Sequence, residues 1–203
     1  MTLIDTILEE VHHIFKNEGI DTYSDDEIIR KLSIQHSTFK DLFSGKAELV
    51  LEAVKHNLEG REKTHNQVLT TITNPVEGIM YLLQDGISYI KEMNPRYIVD
   101  MQMYYPEVWK IFIGHINSHY FYQISEILNA GIMQGFFRKD INLKLVSKII
   151  IEQIAMLLNP TVFPGDQYDL VEVFRSIFLY YLRGLCTETG SRMVENLFSK
   201  YKL

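Results

Sequence analysis

The chain has 203 residues, 46% hydrophobic and 23% charged, with a formal net charge of -6. That length suits one compact unit or a small domain joined to a larger one, and the composition excludes long disorder and fibrous repeats. A single cysteine, Cys186, excludes an internal disulfide, so packing must hold the fold, as expected of a protein in a reducing, cytoplasmic compartment.

The amino terminus, Met1 to Asp5, lacks a basic region and does not read as a secretory leader. Apolar residues at Ile4, Ile7, Leu8, Val11, Ile14 and Phe15 follow the three-and-four spacing of one helical face. Thr2 stands where an N-cap belongs, and Gly19 is the expected C-terminal stop. Ser24 opens a Ser-x-x-Glu capping box with Glu27, and Asp25 and Asp26 lie over the positive end of that second helix, which ends near Leu32. From Gln35 to Phe43 the apolar Phe39, Leu42 and Phe43 point inward, leaving Gln35, His36, Ser37, Thr38 and Lys40 outward or at the rim. Ser44-Gly45 breaks the chain, and Lys46 opens a longer helix with Leu49, Val50, Ala53, Val54 and Leu58 on one face.

Short helices with a tight turn between the second and third are the sequence form of a helix-turn-helix. The run from Ile7 to Leu51 carries Phe15, Gly19, Tyr23-Ser24, Ile28, Leu32, Ile34, Ser37-Thr38-Phe39, Phe43, Lys46 and Glu48-Leu49. In this spacing it resembles the DNA-binding domain of the TetR family of transcriptional regulators. The resemblance covers about the first quarter of the chain and implies a three-helix DNA-binding domain over 1–50, with 51–203 forming a larger helical domain for ligand sensing and dimerisation. It also implies that Thr38 and Lys40 touch the DNA backbone, with Gln35, His36 and Ser37 at the exposed start of the recognition helix and Lys46 beside them.

Charge works against that implication. Residues 1–60 hold six Lys/Arg against twelve Asp/Glu, so the whole net charge of -6 sits there and the remainder is neutral. Between Arg30 and Lys46 four bases face only Asp41, a local +3 inside an acidic domain. A small cationic face of this kind predicts a shallow salt dependence of duplex binding, and the acids leave open a helical module that has kept the fold and lost DNA.

Pro75, Pro95, Pro106, Pro160 and Pro164 divide the rest into helices, roughly 75–93, 95–104, 106–134, 142–158, 167–187 and 190–202. No alternating strand pattern competes, so the fold class is all-α. The longest uncharged stretch, Ile111 to Ser125, is shorter than the roughly 20 apolar residues a bilayer needs, so no membrane partner is expected. Met101, Tyr104, Tyr105, Trp109 and Phe112, followed by His115, His119 and Tyr122, supply the large aromatics and polar tips of an apolar ligand cavity, although such a stripe also lines ordinary cores. The resemblance implies an inducer enclosed in this part. His115 and His119, four apart, could share a metal, but no third ligand is readable and no cofactor is expected.

The segment Gly131 to Asp140 also resembles the family's connection into its last two long helices. By that resemblance Ile150, Ile154, Leu157 and Leu158, with Phe174, Ile177, Phe178 and Tyr181, form a homodimer interface that presents two recognition helices to a pseudo-palindromic operator. Their other use is an intramolecular core, and both can hold at once. A glycine-rich phosphate loop, a nucleophile elbow and a metal signature are all missing from the sequence, which argues against an enzyme.

Overall fold

The computed structural model describes residues 2–157, 159, 161–164 and 167–201, except the side chain of Tyr201. Leu158, Pro160 and position 202 of the expected last helix lie outside the described residues. The described elements are helical: α1 Leu3–Glu18, α2 Asp25–Lys31, α3 His36–Leu42, α4 Lys46–Thr71, α5 Pro75–Lys91, α6 Pro95–Tyr104, α7 Pro106–His115, a π-helical turn Ile116–Tyr120, α8 Phe121–Met133, α9 Leu143–Leu157, α10 Leu170–Leu185 and α11 Glu188–Tyr201.

The chain divides into two compact units: residues 1–64 with 92–115, and 65–91 with 116–203. The first unit includes α6, which is bolted onto α1. Tyr97 and Met101 of α6 are fully buried, and Asp100 accepts hydrogen bonds from the N–H groups of Ile20 and Asp21 at 2.8 and 2.9 Å. Asn94 ties the same joint, its N–H donating to the Lys16 carbonyl at 2.8 Å and its side-chain amide to the Asn17 carbonyl at 3.1 Å. Gly19 permits this close approach: at φ +93° its backbone is in a conformation that L side chains avoid, and a Cβ would meet Arg96 Cβ at 3.0 Å.

Local chemistry sets the ends of the first helices. Thr2 and Asp5 form the α1 capping box, with Thr2 N–H donating to Asp5 Oδ2 at 2.7 Å and Asp5 N–H to Thr2 Oγ1 at 3.3 Å. Glu27 accepts from both the N–H and the hydroxyl of Ser24 at the start of α2, at 2.8 and 2.7 Å. Between α2 and α3, Ser33 turns the chain with φ +52°, an αL position that costs a non-glycine residue about 1 kcal/mol. Ile7, Val11, Phe15, Ile28, Phe39, Phe43, Leu49 and Val50 fill the core beneath these helices.

The second unit is built on α5, α8, α9, α10 and α11. Its core includes Ile79, Met80, Leu83, Leu128, Ile150, Phe174, Phe178, Leu182, Val194 and Phe198. The expected helix over 106–134 carries the π-helical turn at 116–120. The expected helix over 167–187 is shorter at both ends. Gln167 and Tyr168 turn back to the Pro164 carbonyl, and Asp169 takes the N-cap, accepting from Val171 N–H at 2.8 Å. At the other end Cys186 leaves the helix to pair with Phe137, where Arg138 N–H donates to the Leu185 carbonyl at 2.9 Å. Thr187 then caps α11, so that helix begins at Glu188 rather than at 190, and Thr187 Oγ1 accepts from Gly190 N–H at 3.3 Å.

Candidate functional site

The α2–turn–α3 segment presents a polar edge. Phe39 anchors α3 inward at 5% exposure with its ring 5.6 Å from that of Phe43, while Gln35, His36, Ser37 and Lys40 are exposed and Thr38 is half-buried. Five of the six residues predicted to contact DNA thus share one accessible rim. Lys46 does not. Its side chain is only 13% exposed, its Nζ donates to the Tyr23 carbonyl at 2.5 Å, and Asp21 Oδ1 lies 3.8 Å away. This amine closes the loop before α2 and has little reach toward a phosphate.

The remaining cations divide in the same way. Lys31 Nζ lies 2.9 Å from Glu18 Oε1 and 4.2 Å from the centre of the Tyr23 ring, and the Tyr23 hydroxyl also donates to Glu18. These contacts hold the Glu18 carboxyl below the ordinary carboxylate range, the Tyr23 hydroxyl contributing most and Lys31 next. Arg30 is exposed with its Nε donating to the Asp26 carbonyl at 3.2 Å, and the exposed His36 lies 3.8 Å from the Asp26 carboxylate. The +3 counted along the sequence therefore shrinks in space to Arg30 and Lys40, flanked by the exposed Asp25, Asp26 and Asp41.

The predicted ligand residues are distributed over both compact units. Met101 and Phe112 are buried in the core of the first unit, where the Trp109 ring stacks on that of Phe112 at 5.7 Å. Tyr104 is exposed, and Tyr105 is half-buried with its hydroxyl pKa raised to about 12, by burial first and then by Asp21, Asp25 and Asp100. His115 Nε2 lies 3.9 Å from Glu62 in that unit, whereas His119 lies in the second unit with its ring 5.4 Å from that of Tyr120, and Tyr122 is 68% exposed. The shared helical face assumed for the two histidines presumes α-helical pitch, and the π-helical turn starts at Ile116, between them. Among the described residues no cluster of three or more His, Cys, Asp or Glu is placed to hold a metal ion.

A different set converges inside the second unit. His65 of α4 is 1% exposed, with Nε2 2.8 Å from Asp85 Oδ2 and its ring edge-on to Tyr81 and Tyr120 at 5.7 and 5.5 Å. The neighbouring Asn66 accepts from the side-chain amide of the buried Gln123 at 2.8 Å. Sequence reasoning missed this cluster, although a trace was present: His65 continues the apolar stripe of α4 seven residues beyond Leu58 and four before Leu69.

On the two helices predicted to associate, Ile150, Leu157, Phe174 and Phe178 are each at most 2% exposed in their own chain's core, so the intramolecular use accounts for them. Ile154, Ile177 and Tyr181 are half-buried, and beside them Met156 and Tyr180 are 38% and 67% exposed.

Residues 43–184 match the family model described as YsiA-like protein, C-terminal region, one of the TetR C-terminal domains. Solved structures share the fold. A TetR transcription regulator from Haloarcula marismortui is 17% identical, covering 91% of this chain and 98% of its own with a TM-score of 0.74. A transcriptional regulator from Saccharomonospora viridis in complex with choline is 15% identical, covering 91% and 98% with a TM-score of 0.70. FadR from Bacillus subtilis in complex with stearoyl-CoA is 14% identical, covering 88% and 97% with a TM-score of 0.65. No curated protein matches the sequence.

Proposed function

We propose, for a chain that belongs to the TetR family of transcriptional regulators, a dimeric repressor that is released from a pseudo-palindromic duplex in the cytoplasm by a small, largely apolar effector. Membership makes the protein a regulator rather than an enzyme. The observation that carries the finer reading is the rim of α3, where Gln35, His36, Ser37 and Lys40 stand exposed above a Phe39 anchor. Gln offers a bidentate pair to adenine, Lys meets guanine or phosphate, and the hydroxyls of Ser37 and Thr38 donate to phosphate oxygens.

One head offers too few contacts for specific binding, so the reading includes a two-fold dimer. Ile154, Met156, Ile177, Tyr180 and Tyr181 are the apolar side chains of α9 and α10 that retain exposure and so can meet a partner copy. Two-fold symmetry would set the recognition helices about 34 Å apart, one duplex turn. The coupling element is α4, which starts just after α3 and carries the chain from the first unit into the second. An effector that favours an arrangement in which the two heads miss their half-sites weakens DNA binding by the factor by which DNA weakens the effector.

Support for the effector comes from the relatives solved with choline and with stearoyl-CoA, which show the fold holding small molecules. Selection of genomic fragments at low salt tests the DNA claim. Enrichment of a pseudo-palindrome bound by two copies is the expected result. No retention at any ionic strength would instead support a ligand-binding module whose acidic head has lost DNA, a reading favoured by the exposed Asp25, Asp26 and Asp41.

A further inference from the structure

The His65–Gln123 cluster bears on the chemistry of the effector, an inference that rests on the proposed release from DNA by a small molecule and places its site in the second unit. His65 Nε2 lies 2.8 Å from Asp85 Oδ2, and in the tautomer whose Nε2–H donates to that carboxylate the remaining ring nitrogen, Nδ1, is an acceptor. Edge-on contacts with Tyr81 and Tyr120 prevent the ring from turning that lone pair elsewhere. The Gln123 amide is held by its N–H bond to Asn66 Oδ1 at 2.8 Å, which leaves its carbonyl oxygen over. Both leftover atoms, His65 Nδ1 and Gln123 Oε1, are fully shielded from solvent and have no hydrogen-bond partner.

An orphaned buried acceptor forfeits its hydration without compensation, and folded proteins carry very few of them. Two in one cluster, one on a ring held by Asp85 and Tyr81 of α5 and by Tyr120 of the π-helical turn, the other on an α8 amide tied to Asn66 beside it on α4, form an arrangement that a bound molecule would complete. Since both atoms accept, that molecule must donate. We infer that His65 Nδ1 and Gln123 Oε1 form a recognition site for the polar head of a neutral effector carrying two hydrogen-bond donors, as hydroxyl or amide groups, on an apolar body. A carboxylate head brings acceptors only.

The test uses the full-length protein labelled with nitrogen-15 in its histidines and three probes of one length: vicinal octanediol, its dimethyl ether and octanoate. The diol should bind and move the Nδ1 resonance of His65, assigned through His65→Asn. The ether, with the donors removed, should bind at least about tenfold more weakly, the factor that one lost hydrogen bond to a buried partner produces. Gln123→Met, close in volume and verified as folded by its thermal transition, should lose about the same factor for the diol and nothing for the ether. The inference is overturned if ether and diol bind alike, if octanoate binds more tightly, if Gln123→Met leaves the diol unaffected, or if no probe moves the His65 resonance. Diol binding that depends on Gln123 yet leaves operator affinity unchanged would uphold the site and remove the sensor reading instead.

Discussion

The sharpest consequence of the head's geometry concerns salt. Of the four cations between Arg30 and Lys46, Lys31 is paired with Glu18 at 2.9 Å and Lys46 is spent on Tyr23 and Asp21, which leaves Arg30 and Lys40 for phosphate. Each neutralised phosphate contributes about -0.9 to the slope of log affinity against log salt, so two per head and two heads give a slope of about -3.6. Raising salt from about 50 to about 200 mM would then weaken binding by a factor on the order of 10², against 10³ to 10⁵ for proteins that make six to ten such contacts. Lys40→Ala removes one contact per head and should flatten the slope to about -1.8, weakening all sequences alike, whereas Gln35→Ala should change sequence preference and leave the slope in place. Fluorescence anisotropy on the selected operator across a salt series reads both quantities. A wild-type slope steeper than about -6, or a Lys40→Ala slope equal to that of wild type, would refute this assignment of the cations.

Gly190→Ala would push a Cβ to 2.2 Å from the Phe136 carbonyl oxygen, a backbone atom that cannot swing aside, so a loss of about 3 kcal/mol or more is expected in denaturant melts. His12 is buried against Tyr97, and that burial, helped by Lys16 and Arg61, lowers its pKa to about 3. The unfolded chain takes up a proton on His12 below its ordinary pKa of 6.5 and the folded chain refuses it, so stability falls as pH drops from 6.5 toward 3, by up to about 1.4 kcal/mol per pH unit. Thermal unfolding across that window should be less steeply pH-dependent in a folded His12→Phe variant. Burial raises the Cys186 thiol to about 12, so native protein at pH 8 should react with a thiol reagent only as fast as it unfolds. Immediate stoichiometric labelling would contradict that placement.

Much of the fold was legible because it depends on local rules. The capping residues Thr2 and Ser24, the glycine after α1 and the three-and-four stripe from Ile7 to Phe15 report on neighbours within a turn or two, and each ends or starts a helix where expected. Boundaries moved where a distant partner intervened. Leu185 ends α10 because Phe137 pairs with Cys186, and no window of sequence around Leu185 contains Phe137. The exposed rim of α3 was readable for the same local reason, since Phe39 orients the helix and the polar side chains follow from its pitch.

By itself, then, the sequence determined an all-helical chain, a helix-turn-helix head, its acidity and the residues lining its outward edge. Only the tertiary structure decided which charges remain available and which polar atoms lack a partner. Lys40 and Lys46 look alike as letters, yet one stands in solvent and the other is drawn onto the Tyr23 carbonyl. His65 resembles any histidine on an apolar stripe until Asp85, twenty residues away, claims one of its nitrogens. The physical reason is range: capping and periodicity act along the chain, whereas pairing and desolvation depend on groups that only folding brings within a few ångströms.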